Sequence, residues 1–273
     1  MERFGELRSV LHQAHPTQKD WTQLCRLIDE QERQIVEGSV LSYIRDLLET
    51  WPEHLRIAPV SWLEAALPDH DKPILSLARV LPAHPPWSVE VYEDLFYHPN
   101  LQTCRRFIAR GGRLAPEVLR VLAESPLVEK LTHIDVSNNH LRQGVRVLFE
   151  YGRFESLVSF DASGNPLSAD DLWTLAHNET LNALKTLIFS RCQINTAALQ
   201  WLCQCDRLAT LEHLDLSGNL LDLPAAELIA EAPIFARLNT LNLMYSGCDT
   251  DESCREALTS SPYLSSAIRE LYK

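Results

Sequence analysis

The chain has 273 residues, a formal net charge of -12 and an isoelectric point near 5.3. That acidic balance argues against a general binder of nucleic acid or anionic membrane, which needs a basic surface. The hydrophobic share of 45% and charged share of 23% are those of an ordinary globular protein. No apolar run reaches the roughly 18 to 20 residues of a membrane helix, and the opening MERFGELRSVLHQAH has no apolar signal stretch. The expectation is a cytoplasmic protein with no membrane insertion. Seven cysteines, an odd number, are expected as free thiols in a reducing compartment.

Residues 1–72 carry no repeat and read as helices: about 3 to 14, then from Thr17 to about Glu37, then about 39 to 50. Thr17-Gln-Lys-Asp20 has the spacing of a capping box, in which the first side chain and the fourth satisfy each other's backbone N–H. Trp51-Pro52 ends the run, and Ser61-Trp-Leu-Glu64 is expected to cap a short helix up to Leu67.

From there the chain repeats. The stretch LEHLDLSGNLL at Leu211 recurs as LTHIDVSNNHL from Leu131, LVSFDASGNPL from Leu157, LKTLIFSRCQI from Leu184 and LNTLNLMYSGC from Leu238. Steps of 27 backwards reach CRRFIARGGRL at Cys104 and LARVLPAHPPW at Leu77. The Leu77 copy is the weakest, because Pro82 falls at a strand position. Each copy continues with apolar residues at helical spacing, such as Val118, Leu119 and Leu122, or Ala198, Leu199 and Leu202. A further apolar residue closes each unit: Leu127, Phe154, Leu181, Leu208 and Phe235. Pro116 marks one helix start, and Ser168-Ala-Asp-Asp171 reads as a capping box at another. Residues 250–273 read as a last helix and a short closing segment.

The motif L-x-x-L-x-L-x-x-N-x-L resembles that of leucine-rich repeat proteins, in the helix-containing, ribonuclease-inhibitor-like subclass with 27-residue repeats. The resemblance covers about two thirds of the chain. It implies an α/β solenoid, residues 73–249 in about seven repeats, with a parallel sheet on the concave side and helices on the convex side. The all-α region 1–72 and residues 250–273 would cap its ends. One strand–helix unit cannot bury its own apolar face, whereas stacked units share a continuous core. The resemblance also implies that the ninth residue of each repeat, Asn139, Asn165 or Asn219, with Cys192 as a substitute, turns inward and bonds the backbone of neighbouring turns. Ser246 departs from that pattern.

In this family, strand positions 2, 3, 5 and 7 face the concave surface. Position 3 then reads Arg79, Arg106, His133, Ser159, Thr186, His213 and Thr240. Position 5 reads Leu81, Ile108, Asp135, Asp161, Ile188, Asp215 and Asn242, and position 7 runs from Ala83 and Arg110 through serines to Met244. The first repeats are basic (Arg79, Arg105, Arg106, Arg110) and the middle is acidic. Such a divided face steers a partner of complementary charge, although L-D-L-S is also a common filling of the motif. Met244 and Tyr245, an apolar and aromatic pair, fit either a binding anchor or packing against the C-terminal cap.

Little points to catalysis or metal. Nucleophile-elbow, phosphate-loop, zincin and dinucleotide motifs are missing. Cys203-Gln-Cys205 is too tight for a zinc knuckle and reads as buried packing. Trp201 aligns with core positions, Trp173 sits at a helix edge, and Cys248 and Cys254 read as a loop pair. No cofactor is expected. The expectation is a noncatalytic module, monomeric alone, that binds another protein on the sheet. Two alternatives stay open: a regulator of a GTPase, acting through Arg79, Arg106 or Arg110, and a self-associating structural protein.

Overall fold

A computed structural model describes residues 2–32, 35, 40–67, 72–83, 87–112, 114–142 and 144–273. Among the described residues the first α-helices are α1 (Glu2–Leu11), α2 (Gln18–Asp29), α3 (Val40–Leu48) and α4 (Val60–Ala66). The capping box forms at α2, where the Thr17 N–H donates to Asp20 Oδ2 at 2.8 Å. The expected helix end near Glu37 and the next start at 39 lie outside the described residues. Ser61 does not cap α4. That helix begins at Val60 behind Pro59, which leaves Ser61 in its first turn. Three indoles pack at the centre of this region. Trp21 meets Trp51 and Trp62 edge-on at 6.4 and 6.2 Å between ring centroids, and its Nε1–H donates to Ile57 O at 2.8 Å.

Seven strands of three residues follow, each with a helix behind it. They are β1 (Val80–Pro82), β2 (Arg106–Ile108), β3 (His133–Asp135), β4 (Ser159–Asp161), β5 (Thr186–Ile188), β6 (His213–Asp215) and β7 (Thr240–Asn242). The helices are α5 (Val89–Tyr97), α6 (Pro116–Glu124), α7 (Gly144–Tyr151), α8 (Ala169–His177), α9 (Thr196–Cys203), α10 (Leu223–Glu231) and α11 (Glu252–Thr259), with α12 (Ser266–Leu271) last. The strands form one open parallel sheet in chain order. Such an order requires a crossover after every strand, and the helices supply it.

Packing follows the alternation of the strand. The middle residue of each strand, from Leu81 and Phe107 to Leu214 and Leu241, is buried and joins one core with the helices. Its flanking neighbours are half-buried or exposed from β2 onward, so one face of the sheet is covered and the other open. The unit-closing residues Leu127, Phe154, Leu181, Leu208 and Phe235 are fully buried. Phenylalanines run along this core: Phe149 meets Phe160 at 4.9 Å, and Phe160 meets Phe189 at 6.0 Å.

The register corrects the expected alignment at one end. Val80, not Arg79, pairs with Arg106. Arg79 therefore sits at position 2, Leu81 moves from the open column into the core, and Ala83 moves to position 6. The reason is Pro82. At position 6 every strand donates its N–H to the next, as Ala109 does to Asp135 O at 2.7 Å. The 27-residue step would put Pro82 there, and proline has no N–H. A slip of one residue puts Ala83 there instead, donating to Ile108 O at 2.7 Å.

Both ends of the sheet are covered. Residues 56–58 run beside β1: Arg79 and Val80 donate to Arg56 O, Ala58 donates to Val80 O, and Ile57 forms a β-bridge with Val80. The N-terminal region is thus not purely helical. At the far end, Tyr272 donates its phenol to Leu241 O on β7 at 2.9 Å.

Candidate functional site on the open face of the sheet

The turn after each strand sets this surface. Asn165 is fully buried. Its Oδ1 accepts the N–H groups of Asn139 and Leu141 at 3.1 and 3.0 Å, and its Nδ2 donates to Val136 O and Ala162 O, both at 2.9 Å. Asn139 binds Gly112 and Leu114 in the same way, and Asn219 binds Cys192 and Ile194. A buried amide has two donors and an acceptor with two lone pairs, and these sites fill them. Cys192 and Ser246 lack that acceptor. There the Leu167 and Leu221 N–H groups bond the Cys192 and Ser246 carbonyls directly, at 2.8 and 3.1 Å.

From the second repeat onward, the eighth residue adopts a left-handed backbone. It is Gly111, Asn138, Gly164, Arg191, Gly218 or Tyr245, with φ between 55° and 70°. Glycine and asparagine take this conformation at little cost, whereas arginine and tyrosine do not. Sequence reasoning missed this column, although four of its six residues are Gly or Asn. Bulky and glycine positions alternate. A Cβ on Gly164 would meet Asn138 Oδ1 at 2.4 Å, and one on Gly218 would meet Arg191 Cγ at 2.8 Å. Tyr245 ends the series with no further repeat beside it and is 78% exposed.

The open face divides along its length. On β2 and β3, Arg106 Nη2 lies 3.1 Å from His133 Nε2, and His133 Nδ1 lies 2.9 Å from Thr132 Oγ1. Burial, then the Arg106 charge, holds the His133 pKa below the usual histidine value. A neutral ring accepting from Arg106 fits both contacts. Arg110 forms a fork with Asp135, Nη2 and Nε at 2.6 and 3.1 Å from Oδ2. Arg79 and Arg105 fold their guanidinium groups back onto carbonyls of their own turns.

The position-5 aspartates have local work. Asp135, Asp161 and Asp215 each accept the N–H of the serine two residues on, through Oδ1 at 2.8 to 3.0 Å. This turn explains why Asp and Ser recur together. Ser137 is buried by it and leaves the accessible face. The second oxygen is free for other contacts. Asp135 gives it to Arg110 and Asp215 to Asn242 (3.0 Å), while Asp161 Oδ2 has no donor among the described residues. Burial, with help from Asp135, raises the Asp161 pKa above the ordinary carboxylate value.

Ser159, Thr186, Ile188, His213 and Asn242 also lie on this face, with His213 Nδ1 2.8 Å from Thr240 Oγ1. Beyond the strand ends is a depression of about 360 Å³, lined by Ser163, Ile188, Ser190, Asp215, Met244 and Tyr245, among others. Met244 is 55% exposed.

All seven cysteines are free and buried. Burial pushes the Cys192 and Cys203 thiols up to about 12, which removes them as nucleophiles at neutral pH. Cys254 lies on α11, not in a loop. Trp201 is half-buried, its ring edge-on to His177, which stacks on the exposed Trp173 at 4.2 Å. Among the described residues no three His, Cys, Asp or Glu side chains gather into a metal-binding group, and no helix is long and apolar enough to cross a membrane. No protein-family model matches the chain, and no curated protein matches it.

Proposed function

We propose that the chain is a leucine-rich repeat protein of the helix-containing subclass and that it acts as a noncatalytic binding module, gripping another protein on the open face of its sheet. The observation that carries this reading is the Met244–Tyr245 pair. Two large apolar side chains stand in solvent beside a depression, and Tyr245 holds a left-handed backbone that tyrosine rarely adopts. Strain of this kind, about 1 to 3 kcal/mol, persists at sites that use it, and exposed aromatic anchors carry much of an interface's free energy. The partner is held at a second point by charge, with arginines at β1–β2 and the free Asp161 oxygen at β4.

The test is a pull-down from an extract of the source organism, followed by reconstitution with the purified candidate. The wild-type chain is compared with Arg106→Glu/Asp161→Lys and with Tyr245→Gly. The expected result is a stoichiometric complex with the wild type, weakened at least tenfold in both variants, as loss of a single anchor does. Undiminished binding by both variants would move the site off this face.

A further inference from the structure

Five arginines crowd the end of the sheet where β1 meets the N-terminal helices. Arg56 is 2% exposed, an uncommon place for a guanidinium group. Its Nε and Nη1 donate to Leu77 O and Leu48 O at 2.8 and 3.1 Å, while its Nη2 is buried with no partner among the described residues. Arg79 stands next to it, and burial with the charge of this neighbour pulls the Arg56 pKa down to about 10. Arg105 lies beside Arg79 across the β1–β2 ladder, at the residues preceding the Val80–Arg106 pair. Arg106 has its Nε buried and unpartnered, and Arg45 reaches only a hydroxyl, Ser76 Oγ, at 3.1 Å.

None of these five takes part in an ion pair among the described residues, whereas Arg26, Arg110, Arg120, Arg146 and Arg153 all do. The carboxylates whose fields reach the group are Glu53, which acts on Arg56, Arg79 and Arg106, and Glu49, which acts on Arg56. Neither closes a contact. In a chain of net charge -12, cations are scarce. Arg56 is buried, Arg79, Arg105 and Arg106 are half-buried and Arg45 is exposed; with no carboxylate in contact among the described residues, the buried ones leave attraction unused, because low surrounding polarity strengthens it.

We propose that the Arg79–Arg105–Arg106 group, backed by Arg56, is a docking point for the carboxylates of a short acidic segment of the partner protein. The guanidinium fork matches a carboxylate with two parallel bonds. Adjacent strands about 4.8 Å apart set two such forks side by side. The rest of the face limits the ligand's length: Asp161 and Asp215 on β4 and β6 repel an extended polyanion, which disfavours a nucleic acid or an anionic membrane. A segment with acidic residues at one end and a basic residue toward Asp161 complements the whole surface.

This inference rests on the binding-module reading but has a separate test. A fluorescein-labelled ten-residue peptide rich in glutamate, its glutamine counterpart and a single-stranded oligonucleotide are titrated into the full chain at low salt, read by fluorescence anisotropy. The expected result is binding of the glutamate peptide alone. Affinity should fall about tenfold in Arg106→Gln, as for one charge-assisted pair lost, and steeply with salt. Lys185→Gln, on the same face but away from the group, should leave it unchanged. Arg106 is the chosen variant because its side chain holds no backbone carbonyl; its unfolding temperature is measured alongside. Equal binding of glutamate and glutamine peptides, no binding of either, or full affinity in a folded Arg106→Gln would overturn the proposal. Preference for the oligonucleotide would overturn the choice of ligand. None of these outcomes touches the Tyr245→Gly result, so the partner reading stands or falls independently.

Discussion

The middle of the sheet and its first strand are built from the same repeat and obey it differently. At β2–β3, β3–β4 and β5–β6 a turn amide clamps one repeat to the next, and strand pairing from β2 to β7 follows the 26- and 27-residue steps of the motif. At β1 there is no such amide, Pro82 cannot donate, and the register slips by one residue against the 27-residue step. The difference teaches that the position-6 N–H decides the register: β4–β5 and β6–β7 keep it without a turn amide, whereas a proline at that position forces the slip. A one-residue slip turns a strand's side chains to the opposite face, and at β1 it is tolerated because Leu81 then enters the core.

The contrast can be broken hardest at Asn165. Asn165→Leu should cost about 2 to 6 kcal/mol, since it strands the buried N–H groups of Asn139 and Leu141 at about 1 to 3 kcal/mol each. Equilibrium urea unfolding measures it. A loss below about 1 kcal/mol would show that the carbonyl arrangement seen at Cys192 can take over. Leu187→Ala, under the middle of the sheet, should cost about 2 to 5 kcal/mol by creating a cavity.

At the last strand the expectation changes sign. Tyr245→Gly relieves a left-handed backbone and removes no buried contact, so stability should stay level or rise by about 1 kcal/mol while partner binding falls. A clear loss of stability would show that Tyr245 is structural.

Smaller effects come from charge. The folded-state pKa of Asp161 is raised, so its protonated form is favoured on folding. That contribution is present below the ordinary aspartate value and is lost as pH rises through the raised one. Asp161→Asn should therefore melt higher than the wild type at neutral pH, and the gap should close in acid. A gap independent of pH would remove burial of the charge as its cause. His133 has the opposite sign: its folded-state pKa is lowered, so its contribution is held above the ordinary histidine value and lost as pH falls from there through the lowered one. His133→Gln should flatten that part of the stability profile. Last, Arg110→Ala should cost under about 1 kcal/mol, because its ion pair with Asp135 is exposed on the arginine side.

The amino-acid sequence by itself carries much of this architecture. The resemblance of the repeat motif implied an open parallel sheet backed by helices, and the physics agrees, because stacked units bury apolar faces that no single unit can bury. The inward turn asparagines were implied by the same resemblance, and Asn139, Asn165 and Asn219 are buried. Tertiary structure alone decided the rest. The slip at β1 depends on which N–H faces a neighbouring strand. The bonds of the position-5 aspartates to their own serines depend on the turn geometry. The gathering of Arg45, Arg56, Arg79, Arg105 and Arg106 joins residues far apart along the chain, from helices and strands with no shared period. Periodicity reports what a residue does within its own repeat; contacts at the ends form between segments that have no repeat in common, and only folding brings them together.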